Sequence, residues 1–351
     1  MQNNFLKNIK FTSIKAILSC IASSKNISRA QISEKTNLSV VTVGKIVDAL
    51  IDLNIVRQTK APRPASGRRA GVLNINKQKY VIIFDLTEYN FKATALDLTL
   101  NRIDSFDFKY DNLTTFTENL TSFIRKSKAV FYKKFTEENC IGIGCSVHGI
   151  YDKEADSVRS PHIPEIVMVP VRSLFEEHFP GNILHIESNV IAAGRINIEE
   201  VEDYKDKDII YCYIGKGSVC GAHFINGELV GGCSNASCDF GRMMLDYDIT
   251  LEERIRLCKN ENDCAAILAR AVYNISKIIS PHAFIFEYDM NFKTENMNKL
   301  LEDELVQKFR LPKPYIPDFL PATYKLRNSH CGLAIMTRDI WIKNISFNES
   351  T

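Results

Sequence analysis

The fold is decided by residues 28–54, SRAQISEKTNLSVVTVGKIVDALIDLN. Ser28, with Gln31 three residues on, has the spacing of a capping box. In that arrangement a hydroxyl and an amide satisfy N–H groups left unpaired at the start of a helix. Asn37-Leu38 marks a turn, and Ser39 can cap a second helix. In that helix Val43, Ile46, Val47 and Leu50 recur at i, i+3, i+4 and i+7, an apolar stripe for a core. Val40, Val41, Thr42, Lys45 and Asp48 then point elsewhere. Two short helices around a tight turn, the second opening with small and polar residues, predict a unit able to enter a DNA major groove. An ordinary αα-hairpin in a helical domain satisfies the same spacing, so the flanking sequence has to discriminate.

Downstream, residues 55–60 (IVRQTK) and 71–76 (GVLNIN) read as short strands on either side of APRPASGRRA, residues 61–70. That predicts a hairpin with a long Pro/Gly-rich tip, a wing. The tip carries Lys60, Arg63, Arg68 and Arg69 with no acid among them, a composition suited to phosphates or a narrow minor groove. The formal net charge of +2 hides an asymmetry: residues 1–80 hold 14 Lys/Arg against 3 Asp/Glu, and the remainder 30 against 39. A basic head on an acidic body is the footprint of phosphate-backbone binding, where a merely solvated basic face would need no turn or wing.

A chain of 351 residues predicts two or three domains, and 45% hydrophobic with 25% charged residues is ordinary for a globular protein. Ten cysteines include no CxxC pair. Cys233 with Cys238 and Cys258 with Cys264 lack tetrahedral zinc spacing, so reduced, mostly buried thiols are expected. The apolar run at 14–20 is short and broken by Lys15, and reads as a first helix rather than a leader. No run approaches the ~20 apolar residues that cross a bilayer, so the expectation is a cytoplasmic protein with no membrane partner.

From residue 79 the pattern changes. Runs at 80–87, 91–98 and 102–110 read as a strand meander, 115–135 as a helix, and 140–149 as a strand entering a Gly loop. Residues 183–187 form another strand and 190–196 start a helix. Strands at 208–214 and 222–230 follow, the latter turning through Asn226-Gly227. Residues 258–279 read as one long helix, and 330–335 as part of a closing helix. A meander followed by alternating helices and strands predicts an α/β body.

Several motifs then fall in register. These are residues 38–43 (LSVVTV), Gly67-Arg68-Arg69 before LNIN, Gly142 and Gly144 with Gly149, Glu187 before an Ala-containing helix, and Gly215, Gly217 and Gly221 with Asn226-Gly227. In this order the chain resembles the ROK family of repressors and sugar kinases, specifically its repressor branch, over about residues 11–281. The resemblance implies a winged helix-turn-helix (1–78) fused to a two-lobed body of the actin-like ATPase, ribonuclease H-like fold. Its first lobe is expected at 79–152, completed by a C-terminal helix near 328–345, and its second at 153–327, with residues 291–325 fitting the family pattern poorly.

The resemblance also implies what is missing. Where family kinases carry Glu-Asn-Asp, whose Asp is the general base, this chain has Glu187-Ser188-Asn189, and an amide takes no proton. The phosphate loop Asp-x-Gly-x-Thr is Asp85-Leu86-Thr87-Glu88-Tyr89, and the late Gly-Gly that packs nucleotide is Glu287-Tyr288. The zinc-site Gly-Glu-Ile-Gly-His aligns with residues 238–242, putting Arg242 in place of the His ligand, and the following Cys-rich run is absent. Neither kinase activity, a cofactor nor a metal is therefore expected. The remaining polar positions, His148, Ser188, Asn189, Asp239 and Arg242, with His162 nearby, form an expected pocket for a sugar or sugar phosphate. Ser39, Val40, Val41, Thr42, Lys45, Arg57, Lys60, Arg63, Arg68 and Arg69 are the expected contacts to a double-stranded operator. The resemblance implies a homodimer or tetramer placing two heads on a two-fold site.

Overall fold

A computed structural model describes residues 2–24, 26–60, 71–160, 163–215, 217–232 and 238–344, with the backbone only for residues 2–10, 60 and 168. The chain opens with three helices, α1 (Gln2–Ser23), α2 (Arg29–Thr36) and α3 (Val40–Asp52). The local chemistry read in the sequence is what shapes them. The Ser28 hydroxyl accepts from the Gln31 N–H and the Gln31 side chain answers at the Ser28 N–H, Asn37 ends α2 at φ 55°, and the Ser39 hydroxyl caps α3 at the Thr42 N–H. Strands β1 (Val56–Lys60) and β2 (Gly71–Ile75) pair antiparallel from Val56↔Ile75 to Lys60↔Gly71. Ile27, between α1 and α2, adds a bridge to Leu73. Val43, Val47 and Leu50 of α3 are buried and Ile46 is half-buried, as the stripe requires.

The body holds two five-stranded mixed sheets. The first is built from β3 (Tyr80–Leu86), β4 (Phe91–Asp97) and β5 (Arg102–Phe108), an antiparallel meander, with β6 (Cys140–Val147) parallel to β3. Helix α4 (Phe116–Lys134) starts on a second capping box, Thr115 with Glu118. A hairpin of β7 (Ile150–Asp152) and β8 (Ser157–Arg159) and helix α5 (Val171–His178) lead into β9 (Leu184–Ser188), which pairs parallel with β6. The sheet order is β5-β4-β3-β6-β9. Its α4/α5 face is an aromatic core in which Phe84 meets Phe123, Phe175 and Phe179 edge-on.

Helix α6 (Asn189–Glu200) passes to the second sheet: β10 (Asp208–Gly215), β11 (Val219–Ile225) and β12 (Glu228–Leu229) form its meander, turning through Asn226 (φ 53°) and Gly227 (φ 72°). A small hairpin, β13 (Met244–Asp246) and β14 (Ile249–Thr250), precedes α7 (Leu251–Arg256) and α8 (Glu261–Ile278). Strand β15 (Ala283–Asp289) pairs parallel with β10, and after α9 (Met297–Gln307) the edge strand β16 (Asp318–Pro321) pairs parallel with β15. The order β12-β11-β10-β15-β16 repeats that of the first sheet. Helix α10 (Ser329–Asn344) returns to cover the first sheet beside α6.

Two expectations are corrected. The lobe boundary at 152/153 is displaced, because α5 and β9 complete the first sheet and its core before the chain crosses at α6. The long helix expected over 258–279 starts at Glu261, capped by the Asn260 side chain, with α7 as a separate turn before it. The apolar cluster of residues 1–78 continues into the body. Ile14, Ile17 and Ile21 of α1 share one cluster with Val43 and Leu50 of α3 and with Leu98, Leu333 and Ile342 of the body.

The α6–α10 contact depends on Gly332, where an added Cβ would lie 1.7 Å from the Ala192 carbonyl oxygen. Alanine gains about 1 kcal/mol over glycine in helix propensity. Forcing two backbones apart costs typically 1–3 kcal/mol, occasionally more. The clash wins, so Gly332→Ala is expected to lower stability. Urea unfolding that leaves the variant at wild-type stability would refute this packing.

Candidate functional site

Among the described residues, the N-terminal end of α3 is the most exposed apolar point of the head. Val40 is 62% and Val41 70% exposed, with Ser39 and Lys45 exposed beside them and Thr42 half-buried. Asp48, one turn further, is engaged by Arg29 at 2.6 Å, and Arg29 also reaches Gln58 on β1 at 3.1 Å. That pairing ties α2 and α3 to the ribbon and sets a cation beside the Asp48 carboxylate. Arg57 is exposed on β1. Arg63, Arg68 and Arg69 and the side chain of Lys60 lie outside the described residues.

In the body, Asp85, Ser146 and Glu187 occupy one register row at the carboxyl ends of β3, β6 and β9. Helix α6 starts beside that row at Asn189. Ligands of open α/β sheets bind outside strand carboxyl ends. Ser146 Oγ and Asn189 Oδ1 are buried there without a hydrogen-bond partner among the described residues. A buried polar atom in that condition costs of order 1–3 kcal/mol, which a ligand hydroxyl would recover. Ser188 and His148 are half-buried at the same end. His162 lies outside the described residues.

Glu187 is buried, and desolvation pushes its carboxyl up to about 7 against the opposing pull of the Ser188 N–H and Lys153. His185, two residues earlier on the strand, is driven down to about 4 by burial, aided by Lys153 and Arg172. Their 3.9 Å approach is therefore no ion pair, since both groups are neutral between those values.

Asp239 and Arg242 sit together on the second lobe in the turn Phe240–Arg242 and its cap, both exposed. Desolvation raises the Asp239 carboxyl, Arg242 lowers it, and Glu252 raises it again. Gly241 closes this turn onto β11, where a Cβ would meet the Val219 carbonyl at 2.1 Å. Glu252 also accepts from the Val219 N–H at 3.1 Å. Sequence reasoning missed Glu252; its only local sign was an acid in the first turn of a helix capped by Thr250.

At the positions where the resemblance implies nucleotide contacts, side chains bond within the chain. The Asp85 carboxylate accepts the Thr87 N–H at 3.0 Å and the Thr87 hydroxyl at 2.6 Å. Glu287 is buried and accepts from the Tyr211 hydroxyl at 2.7 Å and the Leu326 N–H at 3.0 Å. Downstream of the Phe240–Arg242 turn, Asp246 of the β13–β14 hairpin pairs with Arg254 and Arg270. With Arg242 at the His position, these residues do not fit the family's metal, and among the described residues no three His, Cys, Asp or Glu converge. A cavity of about 570 Å³ lies elsewhere in the first lobe, lined by Tyr89, Tyr110, Phe116 and Glu165, and includes none of the expected pocket residues.

No family model matches the chain. Its fold is that of ROK-family proteins. It superposes on a ROK family transcriptional regulator, a homologue of the E. coli Mlc protein, with TM-score 0.72 and 12% identity, covering 95% of this chain and 97% of that one. The ROK hexokinase from Thermus thermophilus gives TM-score 0.57 and 14% identity, but covers only 73% of this chain against 97% of its own. In sequence the chain is similar to xylose repressors. It is 31% identical over 166 residues to that of Staphylococcus xylosus (46% of this chain, 42% of that one), and 28% over 248 residues to that of Bacillus subtilis (68% and 62%). It thus spans between about two-fifths and three-fifths of these relatives' lengths. The resemblance read in the sequence to the repressor branch of the family is borne out. No described helix is long and apolar enough to cross a membrane.

Proposed function

We propose that this chain is a sugar-responsive transcriptional repressor. Residues 1–78 act as its winged helix-turn-helix, and the two-lobed body is an effector-sensing module rather than a kinase. The observation that carries this reading is the α3 N-terminus, which leaves two β-branched apolar residues and a lysine in solvent on a helix whose opposite face buries Val43, Val47 and Leu50. The Ile27 bridge to the β1–β2 ribbon agrees with a winged unit. Ser39, Val40, Val41, Thr42 and Lys45 would meet base edges and phosphates in the major groove. Arg57, Lys60, Arg63, Arg68 and Arg69 would add backbone or minor-groove contacts. The protein would work in the cytoplasm as a homodimer or tetramer on a two-fold operator.

The effector is a sugar or sugar derivative, with a pentose favoured by the repressors the chain is similar to. Ser146, Ser188, Asn189 and Glu187 would hold it from the first lobe, and Asp239, Arg242 and Glu252 from the second, with His148 nearby. Asn189 orients a hydroxyl without deprotonating it, the Asp85 carboxylate is taken up by the Thr87 hydroxyl, and Glu287 stands where a glycine is expected to pack nucleotide.

Duplex retention, thermal shift and coupled ATP turnover on the intact chain, over D-xylose, D-glucose and their phosphates, test the whole reading. The expected outcome is salt-sensitive retention of duplex DNA, one sugar that raises the midpoint, and background turnover. A ligand at 100-fold its Kd adds about 2.7 kcal/mol. Absence of duplex retention at low salt overturns the repressor reading, and sugar-dependent turnover overturns the non-enzyme reading.

A further inference from the structure

Lys15, Asp339, Arg195 and Glu199 form one chain of charges through the middle of the molecule. Lys15 on α1 lies 3.0 Å from Asp339 Oδ2 on α10, and Arg195 on α6 lies 3.1 Å from the same oxygen. Arg195 also meets Glu199 at 2.6 Å, and Arg338 approaches the other Asp339 oxygen at 3.6 Å. Arg195 and Asp339 are buried, so these contacts are not screened as surface pairs are.

The three helices so joined have different duties. Helix α6 begins at Asn189, next in sequence to the end of β9, and the Asn189 side-chain oxygen is buried without a hydrogen-bond partner among the described residues. Arg195 lies six residues along, about 9 Å down the same rod. Helix α10 packs backbone to backbone on α6 at the Gly332–Ala192 contact, which leaves no room for a Cβ. Helix α1 packs its Ile14, Ile17 and Ile21 into the cluster that also holds Val43, Val47 and Leu50 of α3, and Phe11 of α1 receives Lys343 of α10 over its ring at 4.6 Å. We propose that Asp339 is a positioning residue: its carboxylate joins the helix that starts at the ligand row to the first helix of the head, so that a sugar drawing on Asn189 resets how α3 is presented to DNA. This rests on the repressor reading.

Removing Asp339 would leave three buried or half-buried cations facing Glu199 alone, and the variant is expected to fold poorly. Lys15→Gln is the cleaner probe, because it leaves Arg195 and Arg338 balanced by Asp339 and Glu199. In the intact chain, duplex affinity is measured with and without saturating D-xylose, on a duplex enriched from a random pool by wild type. Wild type is expected to change affinity by roughly 5- to 150-fold, the usual range of coupling between sites. Lys15→Gln should cut that ratio to about 2-fold or less while its thermal shift with D-xylose persists, and Lys15→Arg should restore the ratio. A ratio unchanged in Lys15→Gln overturns the junction. A wild type that holds no duplex or ignores D-xylose speaks against the reading it rests on, and hydrogen exchange of the sugar-free chain then decides. Faster exchange in α1, α10 and α6 together supports the junction; a change confined to α1, or none, overturns it.

Discussion

Val41→Glu is expected to reduce duplex affinity by about 100-fold or more while leaving the protein as stable as wild type. Val41 is 70% exposed at the second position of α3, so its removal costs no core packing. A carboxylate in the first turn of a helix gains about 0.3–1 kcal/mol from the dipole, so folding should improve slightly if anything. On DNA the sign reverses. The side chain that would touch base edges, thymine methyls among them, becomes an anion next to phosphates, and one good base contact alone is worth about 1–3 kcal/mol. Lys45→Gln should behave differently, weakening all sequences alike and lowering the salt slope by about 1. Fluorescence anisotropy on the enriched duplex, with a thermal melt of each variant, separates the two effects. Wild-type affinity in Val41→Glu would remove α3 from the interface.

What the sequence disclosed and what it hid divide by distance along the chain. The caps at Ser28 and Ser39 and the turn at Asn226-Gly227 are written in residues at most three apart, and all form as read. The stripe of α3 is equally local. The misplaced lobe boundary is not: β9 joins the first sheet by parallel pairing to β6, and nothing within residues 153–183 announces which sheet will receive it. Strand β16 hides for the same reason, as four residues of a Lys/Asn/Pro-rich stretch that become a strand only against β15. The candidate site shows both sides. Asn189 and Arg242 stood out by alignment to a motif. Glu252 and the Arg195–Asp339 pair, whose members are 144 residues apart, emerge only when the fold closes.

Replacing Glu187 by Gln is expected to change how stability depends on pH by about 3 kcal/mol, and the sign follows from two buried groups that oppose each other. The Glu187 carboxyl moves from an ordinary 4.5 to about 7 in the folded chain. Between those values the folded state keeps a proton the unfolded state has lost, so stability falls as pH rises, by about 1.4 kcal/mol per unit. His185 moves from 6.5 to about 4, so between those values the unfolded state holds the extra proton and stability rises with pH at the same rate. From about pH 4.5 to 6.5 the two slopes cancel, and wild type shows little trace of either. Glu187→Gln keeps an oxygen for the Ser188 N–H and removes only the titration. Relative to wild type it should gain about 3 kcal/mol in urea unfolding between pH 4.5 and 7.5. His185→Gln should gain a similar amount in the opposite direction, toward low pH. A difference between wild type and Glu187→Gln that stays flat across this range would mean the folded carboxyl is already ionised. The same proton bears on the effector: a neutral Glu187 can donate to a sugar oxygen as well as accept from a hydroxyl, whereas the ionised form only accepts and must be desolvated to do so. Sugar affinity should therefore weaken as pH climbs past 7 in wild type, and Glu187→Gln, which carries an amide donor at every pH, should lose that dependence.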